Sequence, residues 1–142
     1  MTHVHENIQI HAVIDDVWPY FTDSTKIAEW LMPNTFQMQE GAAFTMDCPP
    51  GIGSGDPVEC EIREISPPKN GAARLIYSWV ISEPRAETVL EINLRQVNET
   101  THVDIVHSGW PKGEDDLRTR HEMGWAHLLD VRLRGCFETP SS

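Results

Sequence analysis

Apolar and polar residues alternate along much of the chain, which is typical of half-buried β-strands. The alternation is clear over residues 58–63, 75–79, 90–95 and 103–107, and a hairpin is predicted around residues 40–41, between residues 36–38 and 44–46. An N-terminal strand holds Ile8 and Ile10. Turn-forming residues separate the strands, and residues 66–71 form one predicted turn. We therefore predict a meander in one antiparallel sheet, with one buried face and one solvated face.

Helical signals flank this sheet. Asp15 and Asp16 open a short helix that contains Trp18 and Phe21, and Ser24 starts a second one. A long C-terminal helix begins near residues 114–116. Its predicted apolar stripe consists of Leu117, His121, Gly124, Trp125, Leu128, Val131 and Gly135. The helix must cover the buried face of the sheet. The predicted fold class is α+β of helix-grip type: a curved antiparallel sheet of about six to seven strands wraps around the C-terminal helix, and two short helices follow strand 1.

Length and charge restrict the kind of protein. With 142 residues, the chain is predicted to be a single domain over residues 1–142. Its net charge of −11 repels phosphate groups, so we expect no nucleic acid and no membrane surface as partner. Neither a bilayer-spanning apolar run nor a signal peptide is recognised, which indicates a cytoplasmic location. The three cysteines are odd in number and fit no zinc or redox spacing, which favours reduced thiols.

Two histidines are the candidates for acid–base chemistry. His107 on the last strand and His121 on the long helix both project toward the gap between sheet and helix. A histidine on an apolar face is more often structural, and two histidines are too few for a metal site. Residues 51–55 are rich in glycine but lack the lysine of a phosphate-binding loop. We therefore expect no metal, no cofactor and no assigned catalytic residue.

Aromatic residues are the stronger signal, because they are predicted on the helical cap, the sheet, a loop and the long helix. They could line a pocket for a flat apolar ligand or simply pack as core. Gly124, beside Trp125, indicates a close approach of the helix backbone. The hypothesised ligand-binding residues are Trp30, Leu75, Tyr77, Trp79, Leu90, Ile92, His107, Trp110, His121 and Trp125.

The ordered set of local patterns resembles the SRPBCC superfamily of START-like domains. Within it, the chain is similar to bacterial homologues of the heat-shock-protein-90 ATPase activator. The segments that carry the resemblance are residues 17–23, 27–30, 40–44, 74–79, 107–110 and 124–125. At residues 40–44 the chain has Ala42 where the family pattern has a second glycine. The resemblance implies a helix-grip fold over nearly the whole chain. The fold hosts many activities, so it does not imply one function.

Three functions remain open after the sequence is read. The first is a binding protein for a small hydrophobic, aromatic or lipid-like ligand. The second is an aromatase/cyclase-like or hydrolase-like enzyme that uses His107 or His121 as acid or base. The third is a co-chaperone-like interaction domain, for which a chaperone would be the partner. A homodimer is compatible with each of them.

Overall fold

The computed structural model describes residues 4–47, 57–82, 85–113 and 115–137. The strands are β1 (Val4–Ile10), β2 (Ala43–Met46), β3 (Val58–Lys69), β4 (Ala72–Ser82), β5 (Arg85–Val97) and β6 (Thr100–Ser108). The helices are α1 (Ile14–Val17), α2 (Pro19–Thr22), α3 (Ser24–Trp30) and α4 (Asp115–His127), and α4 continues as a π-helix over Leu128–Leu133.

The strands of the described chain form one antiparallel sheet in the order β1–β6–β5–β4–β3–β2. Strands β2 to β6 follow one another as a meander, and β1 closes the other edge by pairing with β6. The sheet is curved, short helices follow β1, and α4 lies at the C-terminal end. This confirms the predicted α+β helix-grip fold. None of the described helices is long and apolar enough to cross a membrane.

The buried face of the sheet follows the alternation in the sequence. Along β6, burial changes strictly from residue to residue, and Ile105 and His107 lie on the buried side. The register places Leu90 of β5 beside His107, and Ile92 beside Ile105. Leu75 of β4 lies beside Ile92 on the next strand, so three strands present one continuous apolar surface. The predicted faces of these strands are confirmed.

The turn between β3 and β4 is tighter than the sequence indicated. It consists of Asn70 and Gly71, which both have positive φ values of 54° and 77°. This is the backbone of a two-residue hairpin turn, and Asn-Gly is its preferred sequence. Pro67 and Pro68 were expected in the turn but belong to β3. The strand tolerates them because its pairing with β4 shifts register between Ser66 and Lys69.

The hairpin predicted around residues 40–41 forms only its second arm. Its first arm, residues 36–38, is not a strand, and that prediction was wrong. Backbone hydrogen bonds tie the loop to β3 instead, because Gly41 donates to Ile62 and Ile62 donates to Ala42. Phe36 still turns inward and packs on Phe44, with ring centroids 5.0 Å apart.

The C-terminal helix changes its winding after His127. Its buried side chains in this region are Trp125, Leu129 and Leu133, which are four residues apart. In an α-helix, four residues advance about 40° beyond a full turn, so a stripe with this spacing would rotate away from the sheet. The wider π-helix over Leu128–Leu133 absorbs that excess and keeps the three side chains in line.

This change of winding overturns the second half of the predicted apolar stripe. The prediction assumed α-helical spacing and placed Val131 and Gly135 toward the sheet. Val131 is instead 55% exposed, and Gly135 is also exposed. The half-buried Leu128 lies beside the true stripe rather than on it.

Candidate functional site

Five aromatic rings meet between the sheet and α4, and we call them the aromatic cluster: Trp79, His107, Trp110, His121 and Trp125. His107 lies 4.4 Å from Trp110 and 5.5 Å from Trp79, measured between ring centroids. Trp125 lies 5.5 Å from Trp79, and His121 lies 4.7 Å from Trp110. The predicted strand, loop and helix residues therefore form one group of rings.

His107 is fully buried, and its hydrogen bonds determine its tautomer. The Trp125 indole N–H donates to Nδ1 over 3.0 Å, so Nδ1 must be an acceptor. The Thr88 hydroxyl lies 2.6 Å from the carbonyl oxygen of Trp79 and donates its hydrogen there. It therefore accepts from Nε2 of His107, which lies 2.7 Å away. This pattern assigns the neutral tautomer with the proton on Nε2.

The surroundings of His107 make it a poor acid or base. Burial, followed by the charge of His121, lowers the pKa of His107 well below its ordinary value. Protonation would place an N–H on Nδ1 directly opposite the Trp125 N–H. With 0% exposure and both nitrogens engaged, His107 holds the cluster in place. His121, which is half-buried at the edge of the cluster, is the histidine that retains access to solvent.

The indole N–H groups of the neighbouring tryptophans differ in one important respect. Trp30 donates to the Tyr20 carbonyl over 2.7 Å, and Trp110 donates to the His107 carbonyl over 2.9 Å. Trp125 donates to the His107 ring. Trp79 is also buried, but its indole N–H has no hydrogen-bond partner. Among the described residues it is the one buried side-chain polar group without such a partner. A native structure rarely leaves such a group unexplained.

The remaining predicted site residues are all buried on the same side of the sheet. Trp30 extends the cluster toward the short helices, with its ring centroid 6.5 Å from that of Trp125. Leu75, Leu90 and Ile92 form the sheet floor. Tyr77 does not contact the five rings through a ring pair; it packs on Phe44 over 5.0 Å. The structure thus brings the predicted residues to one face but divides the aromatic ones into two groups.

Sequence reasoning missed one residue of this region and made one wrong prediction about another. Thr88 connects Trp79 to His107, and its signal was a polar residue at an inward position of β5. Gly124 was expected to lie close to another backbone, but a Cβ built there would meet nothing within 4 Å. The expectation was wrong, and Gly124 instead borders open space beside the cluster.

Other candidate sites of the described chain lie elsewhere. An open hollow of about 610 Å³ lies on the solvated face of the sheet and is lined by polar residues such as Arg74, Asn93 and Asp104. Cys60 is buried, and burial raises the pKa of its thiol. Cys136 is half-buried, whereas Cys48 lies outside the described residues. Within those residues, no group of three or more potential ligands could hold a metal ion.

The fold and a family comparison define the class of protein. A curved antiparallel sheet around a C-terminal helix, with short helices after the first strand, is the SRPBCC-type helix-grip architecture. The chain belongs to the family described as activator of Hsp90 ATPase homolog 1-like proteins, whose model matches residues 11–138. No curated protein sequence matches the chain.

Solved structures share this fold at low sequence identity. Protein MLL2253 from Mesorhizobium loti is 23% identical, with a TM-score of 0.83 over 94% of each chain. DynU16, from the dynemicin biosynthetic locus, is 24% identical, with a TM-score of 0.81 over 98% of this chain and 48% of that one. The Aha1 dimer from Colwellia psychrerythraea is 17% identical, with a TM-score of 0.72 over the full length of both chains. These structural similarities show that the chain shares its fold with the three proteins.

Proposed function

We propose that this protein binds a small hydrophobic or aromatic molecule between α4 and the buried face of the sheet. The observation that carries the proposal is the aromatic cluster, in which rings from β4, β6, a loop and α4 face one another. Aromatic rings offer large apolar surfaces with defined stacking geometry, so they favour a flat guest. Ligand sites often lie in such apolar regions with a few polar groups.

The open space beside Gly124 supports a site on the helix side of the cluster. Glycine in a helix interior costs about 1 kcal/mol relative to alanine. No neighbouring atom requires glycine at this position, because a Cβ would meet nothing within 4 Å. The helix backbone at Gly124 is therefore open to a guest that lies next to Trp125 and His121.

A thermal-shift screen tests the binding function directly. The panel should contain fatty acids, flavonoids, sterols and polyketide-like aromatics, the last because DynU16 comes from the dynemicin biosynthetic locus. A ligand at 100 times its Kd stabilises the folded state by about 2.7 kcal/mol, which raises Tm by several degrees in a domain of this size. Native mass spectrometry should then show one ligand per chain. No shift with any class would contradict the proposal and favour the interaction-domain alternative.

A pair of glycine substitutions tests the location of the site. Gly124→Leu fills the open space beside the cluster, and we expect it to weaken binding of a hit from the screen by about tenfold or more. Gly135→Leu is the matched control, because Gly135 is also helical and a Cβ there also meets nothing within 4 Å. It lies on the exposed side of the helix end and should leave affinity unchanged. Equal effects of the two substitutions would place the ligand elsewhere.

His121 favours a second candidate function, a cyclase-like or hydrolase-like enzyme. It is half-buried, and its ring packs against Trp110 over 4.7 Å and against Trp79 over 6.3 Å, where it could face a bound guest. Each ligand from the screen should be incubated with the wild type and with His121→Gln and analysed by mass spectrometry. A product formed only by the wild type would support catalysis, and unchanged ligand in both would argue for binding alone.

A homodimer and a chaperone partner remain predictions. The Colwellia psychrerythraea protein is a dimer, and the family name refers to Hsp90 ATPase activation. We propose that ligand binding is the property of the single domain, because the aromatic cluster is contained within one chain. Native mass spectrometry of the free protein would report the number of chains in the same experiment.

A further inference from the structure

The Trp79 indole N–H is the polar group of the aromatic cluster that lacks a partner. The residue is 3% exposed, so water does not readily supply an acceptor. Its ring lies 5.5 Å from both His107 and Trp125 and 6.3 Å from His121, measured between centroids. An unpaired donor at this place destabilises the free protein and would be satisfied by an acceptor that enters the site.

The neighbouring acceptors receive their hydrogen bonds from donors other than Trp79. Nδ1 of His107 accepts from Trp125, and the Thr88 hydroxyl accepts from Nε2 of His107. The Trp79 carbonyl oxygen accepts from Thr88, and the His107 carbonyl oxygen accepts from Trp110. The hydrogen bonds that build the cluster therefore leave the Trp79 N–H as a free donor among apolar rings.

We propose that the Trp79 N–H binds a neutral oxygen acceptor of the ligand, such as a ketone or quinone carbonyl on a fused aromatic ring system. This inference rests on the proposed binding function and names its ligand class. A single neutral N–H donor among apolar rings matches a neutral acceptor, because a carbonyl oxygen can be bonded there without burying a net charge. Plain hydrocarbons, which offer the Trp79 N–H no acceptor, are therefore poorer ligands than aromatic ketones.

The test compares two flat probes of nearly the same shape. Fluorenone carries a carbonyl group where fluorene carries a methylene, so the two differ in one hydrogen-bond acceptor. We expect equilibrium dialysis to give about tenfold tighter binding of fluorenone by the wild type. Trp79→Phe keeps an aromatic ring but lacks the N–H, so it should bind fluorenone no more tightly than fluorene. Its affinity for fluorene should stay within about twofold of the wild-type value.

Trp18→Phe is the control, because Trp18 is also buried but lies between α1 and α2, outside the cluster. It should retain the preference for fluorenone. A direct measurement on the wild type covers the case in which Trp79→Phe does not fold. The indole ¹H–¹⁵N NMR signal of Trp79 should move downfield with fluorenone and not with fluorene.

The outcomes separate this inference from the proposed function. If neither probe binds the wild type, the binding function for flat aromatics fails and the inference fails with it. If both probes bind equally and Trp79→Phe changes neither affinity, the binding function stands and the role of Trp79 is overturned. A preference for fluorenone that persists in Trp79→Phe would also overturn it.

Discussion

Trp125→Phe should destabilise the protein much more than Trp79→Phe does. Both substitutions replace a buried indole with the smaller phenyl ring, and the lost packing lowers the free energy of unfolding by about 1–2 kcal/mol at either position. Trp125→Phe also removes the donor to Nδ1 of His107 and leaves a buried acceptor unpaired, which adds about 1–3 kcal/mol. Trp79→Phe removes a donor that has no partner, so part of its packing cost is offset.

The expected difference in unfolding free energy is therefore at least about 2 kcal/mol. For a domain of this length, 1 kcal/mol corresponds to about 3 °C, so the two Tm values should differ by about 6 °C. Urea denaturation followed by circular dichroism measures the difference without relying on tryptophan fluorescence, and equal m-values would show that both variants unfold from comparable states.

Equal destabilisation by the two substitutions would refute this reasoning. It would mean that the bond between Trp125 and His107 contributes nothing or that the Trp79 N–H is satisfied in solution. Trp18→Phe provides a reference for the packing term at a buried tryptophan outside the cluster.

Three further predictions follow from the same contacts. Thr88→Val keeps the side-chain shape but leaves the Nε2–H of His107 unpaired and removes the hydroxyl bond to the Trp79 carbonyl. It should lower the free energy of unfolding in urea by about 2–4 kcal/mol, more than Thr101→Val, which loses one bond to Ala12. The pKa of His107 is lowered in the folded state, so below about pH 6.5 the unfolded chain binds one proton more than the folded chain. The free energy of unfolding should therefore fall by up to about 1.4 kcal/mol for each pH unit below that value, and the slope should be smaller in His107→Gln. Gly124→Ala should raise Tm by about 3 °C, because alanine favours the helix and its Cβ would meet no atom within 4 Å. Gly109→Ala should lower Tm, because Gly109 has a φ of +90° and the new Cβ would lie 3.4 Å from the Thr88 Cα.

Part of the candidate site was predictable because it depends on local backbone geometry. Successive side chains of a strand point to opposite faces, so Trp79 and His107 could be assigned to the buried side from their neighbours alone. The partners of His107 could not be assigned in this way. Thr88 and Trp125 are 19 and 18 residues away in sequence, and their contacts depend on strand register and on how α4 lies against the sheet.

The sequence by itself determined the order of the strands, the buried face of each central strand and the presence of a turn before β4, because alternation and turn propensity act over a few neighbouring residues. Only the tertiary structure decided the winding of the C-terminal helix. Packing on the sheet buries Leu129 and Leu133 there, instead of the residues that regular α-helical spacing predicts to be buried. It also decided the tautomer of His107 and the unpaired N–H of Trp79, because hydrogen bonds between distant segments exist only after those segments have packed together.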